Sequence, residues 1–327
     1  MIQKSRYAPH KRASASISRV MGSMLLAMVP LLVMAVFNYG WNVVALVASG
    51  MGSAFFAELI FSLIQKKTYE FDFSPLVTGL MIAFLLPANA PFWYPVLGAV
   101  FAIWVVKMPF GGVGKNIFNP AAAGFVFLAV CFEKKVFSYP GVNMVGHQLK
   151  EAVLAPSPAE ILGKGGVPTP TILEVLLGRF PGPLGTTSIA LMLCVATYVF
   201  FKRWRLLIIP AGFLSVAALF ALFVHRLPSG MGPSLFFELT SGSLLFCALY
   251  VATDPVTASG STLGRLMYGA GCGALTMLFR YTGRFEQGAC IAILVMNAAA
   301  PYFDRIARRA SMAVAARQNR TEKREKI

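Results

Sequence analysis

Two adjacent threonines, Thr186 and Thr187, follow Pro181-Gly182-Pro183-Leu184-Gly185 and stand directly before Ser188 and a new apolar run. Gly182 and Gly185 open the backbone around them. An apolar run beginning there marks a helix start, where free N–H groups and the helix dipole favour a phosphate. A threonine hydroxyl at this place can therefore be esterified by a phosphate group, and Thr187 is the better placed of the two. An ordinary Ser or Thr N-cap has the same local appearance. Taken alone, these residues favour the ordinary N-cap.

Few other residues offer chemistry. Asp254 stands beside Pro255 at an apparent helix break, where it can hold a ligand, lie on an ion path or simply cap the chain end. Glu58 and Glu238 fall within apolar runs and are expensive against lipid, so they are expected to face the protein interior, although Glu238 could reach an interface. The loop Gly111-Gly112-Val113-Gly114 resembles a phosphate cradle without its strand–helix context, and reads as close backbone approach. Cys131, Cys194, Cys247, Cys272 and Cys290 show no metal-ligand spacing and read as small apolar packing residues, so no iron–sulfur ligand set and no metal site is expected. Met and Phe stripes read as core or lipid-facing.

The elements that position these residues follow from composition. Of 327 residues, 57% are hydrophobic and 13% charged, against about 25% charged in soluble domains. Mean hydropathy is +0.68. The apolar runs are continuous rather than alternating, which excludes a transmembrane β-barrel and indicates an all-α polytopic membrane protein. Ten candidate spans cover 20–38, 41–65, 76–87, 92–108, 118–132, 187–201, 206–224, 235–253, 266–278 and 288–303. The first run lacks a clear cleavage site and reads as a retained helix.

The net charge is +16. In a soluble chain this would suggest nucleic acid; here the basic residues flank apolar runs, so no nucleic-acid partner is expected. With alternating spans and the N-terminus inside, 21 of the 29 Lys and Arg fall on inner segments, as the positive-inside rule requires. Both termini then lie in the cytoplasm and the Pro- and Gly-rich loop 133–186 lies outside. Residues 171–178 of that loop have helical spacing and a Gly stop, and are expected to lie flat on the membrane surface. The organisation is a cytoplasmic segment 1–19, five helices in 20–132, the outer loop 133–186, five helices in 187–303 and a basic cytoplasmic tail 304–327.

An internal echo supports two halves. Thr78-Gly79 with the Pro87 break resembles Ser241-Gly242 with the Asp254-Pro255 break, and Asn119-Pro120-Ala121-Ala122-Ala123 resembles Asn297-Ala298-Ala299-Ala300-Pro301. Five spans per half would make these inverted repeats. Small-residue runs that simply favour helix packing would look alike.

Several stretches together resemble the RnfD/NqrB family. They are Ala8-Pro9-His10, Phe73-Ser74-Pro75-Leu76-Val77-Thr78-Gly79, Pro109 to Ala121, Ala252-Thr253-Asp254-Pro255-Val256-Thr257, and Met296-Asn297-Ala298 with Pro301. The resemblance implies an electron-carrying subunit of the Rnf complex, which couples electron transfer between ferredoxin and NAD to sodium or proton movement across a bacterial inner membrane. It implies FMN in phosphoester linkage to Thr187, within a pattern that falls on Gly182, Gly185, Thr187 and Ser188, and attached by an extracytoplasmic flavin transferase. This chain has Thr186 where many relatives carry Glu. The resemblance also allows a second, non-covalent flavin, riboflavin, and implies RnfA, RnfB, RnfC, RnfE and RnfG as partners in the lipid bilayer. NqrB of the sodium-pumping quinone reductase is the near alternative, usually longer before its first span. An inverted-repeat solute channel without flavin is the distant one.

Overall fold

The computed structural model describes residues 9–66, 71–141, 153–186, 188–202, 204–224, 226–228, 230–282 and 288–325. The first half comprises α1 (Pro9–Tyr39), α2 (Asn42–Ile64), α3 (Ser74–Leu85), α4 (Trp93–Phe101) and α5 (Pro120–Cys131). α4 runs on as π-helix over Ala102–Lys107. The long loop contains α6 (Glu133–Val136), α7 (Pro158–Gly163) and α8 (Ile172–Leu177). It also holds an antiparallel pair of two-residue strands, β1 (Tyr139–Pro140) and β2 (Leu154–Ala155). The second half comprises α9 (Ile189–Lys202), α10 (Ile208–Phe223), α11 (Met231–Thr240), α12 (Leu244–Phe246), α13 (Thr262–Tyr281) and α14 (Ala289–Glu325). α12 runs on as π-helix over Cys247–Val251.

The all-α polytopic class holds, and each of the ten apolar runs falls on helix. Their lengths differ from a set of ten full spans. Among the described residues four helices, Ser18–Tyr39, Asn42–Ile64, Trp204–Phe223 and Ala289–Ala313, are long and apolar enough to cross a bilayer. A fifth crossing arises if α11 and the α12 segment, bent by 62° at residues 241–243, count as one broken span. Twelve-residue α3 is roughly 18 Å long, well under the ~30 Å hydrocarbon core. The expected basic tail is helix as far as Glu325, because Pro301 lies inside α14 without ending it.

Hydrogen bonds sort the connections onto two ends of the bundle. At one end, Arg265 Nη1 donates to the Arg205 carbonyl (3.3 Å), and Ser259 and Ser261 hydroxyls donate to Asp304 (2.6 and 2.7 Å). At the other, Asn38 donates to the Gly178 carbonyl (3.3 Å), Arg226 to Leu162 (3.4 Å) and Tyr281 to Val224 (2.7 Å). Alternating crossings require this grouping of odd and even connections.

Glycines set the closest helix approaches, as expected where lipid tails leave packing rather than hydrophobicity to drive association. A Cβ on Gly79 of α3 would lie 2.2 Å from the Gly50 carbonyl oxygen of α2. One on Gly269 or Gly273 of α13 would lie 2.3 or 2.4 Å from the Ile209 or Phe213 carbonyl of α10. Gly79→Leu is therefore expected to part α2 from α3 and lower stability by at least about 1–3 kcal/mol, the usual cost of overpacking. A thermal scan of the detergent-solubilised protein checks this; an unchanged midpoint would refute it.

Helix breaks inside a bilayer leave carbonyls that water cannot reach. Arg280 of α13 meets those at the end of α11: its guanidinium donates to the Glu238 carbonyl and, at 3.0 Å, to the Ser241 carbonyl. Asn119 Nδ2 donates to the Val251 carbonyl at the end of the second π segment (2.9 Å), while its Oδ1 caps α5 through the Ala122 N–H (3.0 Å). Asn297 Oδ1 accepts the Asn119 N–H (2.9 Å), and its Nδ2 donates to Tyr268 Oη (2.8 Å). The two echoed asparagines thus meet and join the halves.

Candidate flavin-attachment site

The site is built from the end of the long loop. α8 begins with a reciprocal cap: Thr171 Oγ1 accepts the Glu174 N–H (3.3 Å) and Glu174 Oε2 accepts the Thr171 N–H (2.7 Å). It ends at Gly178 in the left-handed region, φ 87°, which only glycine enters without strain. Ile172, Leu173 and Leu177 are exposed while Val175 is buried. That one-sided apolar exposure suits the expected surface-lying helix. The Thr171 hydrogen bonds hold Glu174 below the ordinary carboxylate range. A lowered folded-state value stabilises above the unfolded value and is lost as pH falls, so protection of the α8 amides, relative to their intrinsic exchange rates, is expected to drop below about pH 4. Glu174→Gln should remove that pH dependence.

After α8 the chain turns inward. Phe180 is buried, and the 3₁₀ turn Leu184–Thr186 is buried throughout. The Leu184 N–H donates to the carbonyl of Leu86 (3.0 Å), the extended residue at the broken end of α3. A Cβ on Gly185 would lie 2.9 Å from Phe246 and 3.0 Å from Phe84. Those two rings, one from each broken segment, meet edge to face at 6.0 Å between centroids. Gly185 is therefore needed for close approach to the place where the two broken segments meet.

Thr186 is 1% exposed, and its Oγ1 donates to the Pro183 carbonyl at 2.8 Å. Ser188 is also committed: its Oγ donates to the Leu176 carbonyl (3.2 Å) and accepts the Leu191 N–H (3.3 Å). Ser188 thus caps α9, which starts at Ile189 rather than at the expected residue 187. Thr187 lies outside the described residues. Its two neighbours fix the chain on either side, and the first turn of α9 carries no acidic side chain.

The sequence model of the NQR2, RnfD, RnfE family matches residues 4–313. The chain belongs to that family. It is 34% identical over 307 residues to the D subunit of the Na(+)-translocating ferredoxin:NAD(+) oxidoreductase complex of Acetobacterium woodii, covering 91% of each chain. It is 33% identical to the D subunit of the ion-translocating oxidoreductase complex of Stutzerimonas stutzeri, covering 90% of this chain and 91% of that one. The D subunit of the proton-translocating ferredoxin:NAD(+) oxidoreductase complex of Clostridium ljungdahlii is 30% identical, with 91% and 92% covered.

In this NQR2, RnfD, RnfE family member the other candidate residues divide between capping and pairing. Asp254 is buried and accepts from the Val256 N–H (3.2 Å) and the Thr257 hydroxyl (3.0 Å), as a cap of the turn after the second π segment. Beside it lies a mostly apolar pocket of about 30 Å³, which Ser74, Thr78, Asn116 and Asn119 also reach. Glu58 is buried against Lys107, 2.6 Å away. Glu238 is fully buried between Arg280 (3.2 Å) and Arg226 (3.4 Å), and so does not reach an interface. Gly111, Gly112 and Gly114 have φ of 105°, 81° and 83°. The Gly111 and Gly112 N–H groups bond the Met108 and Lys107 carbonyls. These glycines therefore serve a tight turn; the expected close approach is present at Gly111, where a Cβ would lie 2.9 Å from the Lys115 side chain, and not at Gly112, where it would meet only Met108 Sδ at 4.0 Å.

Sequence reasoning missed the cations. Lys107 lies inside the expected run 92–108 and Arg280 just past 266–278, neither of them among the candidate residues, yet they are 1% and 5% exposed. The available signal was that Glu58 and Glu238, each within an apolar run, need a cationic partner. Cys247 and Cys290 are buried, as expected of packing residues, but the 3.6 Å approach of their Sγ atoms was not legible in the sequence. Among the described residues no group of His, Cys, Asp and Glu could hold a metal ion.

Proposed function

We propose that this chain is the membrane subunit of an ion-translocating ferredoxin:NAD oxidoreductase complex, and that it carries electrons through FMN esterified to Thr187. The observation that carries the reading is the match, over nine-tenths of both chains, to relatives named for that activity. The two five-helix halves, 20–132 and 187–303, are inverted repeats with broken third and eighth segments. Both termini are cytoplasmic, in a bacterial inner membrane. The loop 133–186 then faces outward, where a flavin transferase can reach Thr187. The partners are the remaining Rnf subunits, RnfA, RnfB, RnfC, RnfE and RnfG.

The residues around the attachment point suit a phosphate. The bond is an ester between the threonine Oγ1 and the flavin phosphate. The N-terminal amides of α9 favour the negative charge, and no carboxylate in the first turn opposes it. Leu184 and Gly185 hold the turn against Leu86, Phe84 and Phe246, so the cofactor's tether is rigid on its N-terminal side. Ser188 fixes the other side by capping α9. Bound FMN supplies electron transfer in one- or two-electron steps. A second flavin, riboflavin, stays within the proposal without assigned residues. The pocket beside Asp254, about 30 Å³, has room for roughly a water or two and not for three fused rings, so no step is assigned there.

The test uses inverted membrane vesicles supplied with reduced ferredoxin and NAD. NAD reduction and ion uptake should both vanish when this subunit is deleted and return when it is restored. Uptake of sodium or of protons then identifies the coupling ion. Full activity without the chain would end the proposal.

A further inference from the structure

Between α1 and α9 lies a cavity of about 700 Å³. That lies within the ~300–1,000 Å³ typical of ligand pockets. Its walls are apolar: Leu26, Ala27 and Pro30 from α1, Val195 and Val199 from α9, and Leu206 beyond. Leu26 is 72% exposed and Tyr198 58%, so the cavity is open along its lipid-facing side.

Polar groups at this cavity are nearly all satisfied from within the chain. The Ser23 hydroxyl donates to the Val20 carbonyl (2.7 Å), and the Thr253 hydroxyl to that of Leu249 (2.9 Å). The exception is Arg19, which lines the mouth and forms no ion pair or hydrogen bond among the described residues. It stands in the first turn of the Ser18–Tyr39 span, at the level where a bilayer's headgroups begin. Leu206, on the opposite wall, follows Arg205, whose guanidinium lies 5.7 Å from the centroid of the exposed Trp204 ring. A tryptophan and arginines at one level are what a membrane interface selects.

From this geometry we infer that the α1–α9 cavity binds an anionic phospholipid, with an acyl chain between the two helices and the phosphate at Arg19. An apolar slot open to the bilayer is filled by hydrocarbon, because water there would lack hydrogen-bond partners. The unpaired guanidinium selects negative headgroups, and a basic side chain near the surface favours an anionic lipid by about 1 kcal/mol. The inference goes beyond the flavin reading and needs none of its residues.

The test uses the intact complex in nanodiscs with two photoreactive lipids, a phosphatidylglycerol and a phosphatidylcholine, each with a diazirine on the acyl chain. The phosphatidylglycerol probe is expected to label peptides spanning 23–30 and 194–199 more strongly than its zwitterionic counterpart. Arg19→Gln should cut that labelling about fivefold and leave the phosphatidylcholine signal unchanged. Ala27→Phe, which fills the slot, should lower both. The thermal midpoint of the complex, measured alongside, is expected to stay constant and reports that the protein is folded. Equal labelling by the two probes, insensitivity to Arg19→Gln, displacement by an isoprenoid quinone but not by anionic lipid, or a neighbouring subunit crosslinked over the slot would each overturn the inference.

Discussion

Thr187→Ala is expected to leave the chain without covalent flavin, seen as complete loss of ultraviolet-excited fluorescence from its band after denaturing electrophoresis. Thr187→Ser keeps a hydroxyl and should retain part of the signal. The contrast that matters is with Thr186→Val. Thr186 is buried, and its hydroxyl already donates to the Pro183 carbonyl at 2.8 Å. Esterifying that oxygen would require pulling the turn away from Phe84 and Phe246, which crowd Gly185. Removing the hydroxyl costs only about 1 kcal/mol for one lost hydrogen bond, so Thr186→Val should stay yellow. The mass of the peptide from Phe180 to Ala190 provides the same answer independently. Fluorescence that survives Thr187→Ala but disappears in Thr186→Val would move the attachment to the wrong neighbour for this argument and overturn it.

The second large effect lies in the buried pair between α2 and the first π segment. Lys107 Nζ sits 2.6 Å from Glu58 Oε2, with side chains 1% and 7% exposed. A π-helical turn re-aims the side chains that follow it, and Lys107 closes such a segment. Glu58→Gln leaves an ammonium group in the protein interior with its carboxylate gone; Lys107→Met leaves the reverse. Breaking a buried pair from one side costs about 3–5 kcal/mol, whereas replacing both ions with apolar groups of similar volume is often neutral. Each single variant is thus expected to lower the thermal midpoint sharply, and Glu58→Leu with Lys107→Met to recover most of the loss. If the double variant melts no higher than the worse single one, the two charges are not coupled and the pair is not a structural device.

Composition and pattern determined a good deal by themselves. Continuous apolar runs with few charges can bury their backbone only as helix in lipid, which sets the all-α class and nearly every helix position. Lys and Arg placement along the chain sets an expected sidedness by the positive-inside rule. The pairs Thr78-Gly79 with Ser241-Gly242 and Asn119 with Asn297 were visible as echoes. Their meaning was not visible, because hydrogen bonds across 178 residues of chain leave no periodic trace.

Tertiary structure decided the roles of the polar residues. Asp254, Asn119 and Arg280 stand where broken segments leave backbone groups that need partners. Sequence shows the polar residue but not the carbonyl it serves. The partner of a broken end was decided there too: Pro87 ends α3 by pushing Leu86 extended, but the Leu184 N–H that the Leu86 carbonyl accepts lies 98 positions away in sequence. The start of α9 at Ile189 has the same kind of cause, since Ser188 is held by the Leu176 carbonyl of a separate helix. Local chemistry names which side chains can act; only the packed chain settles which of them are already occupied.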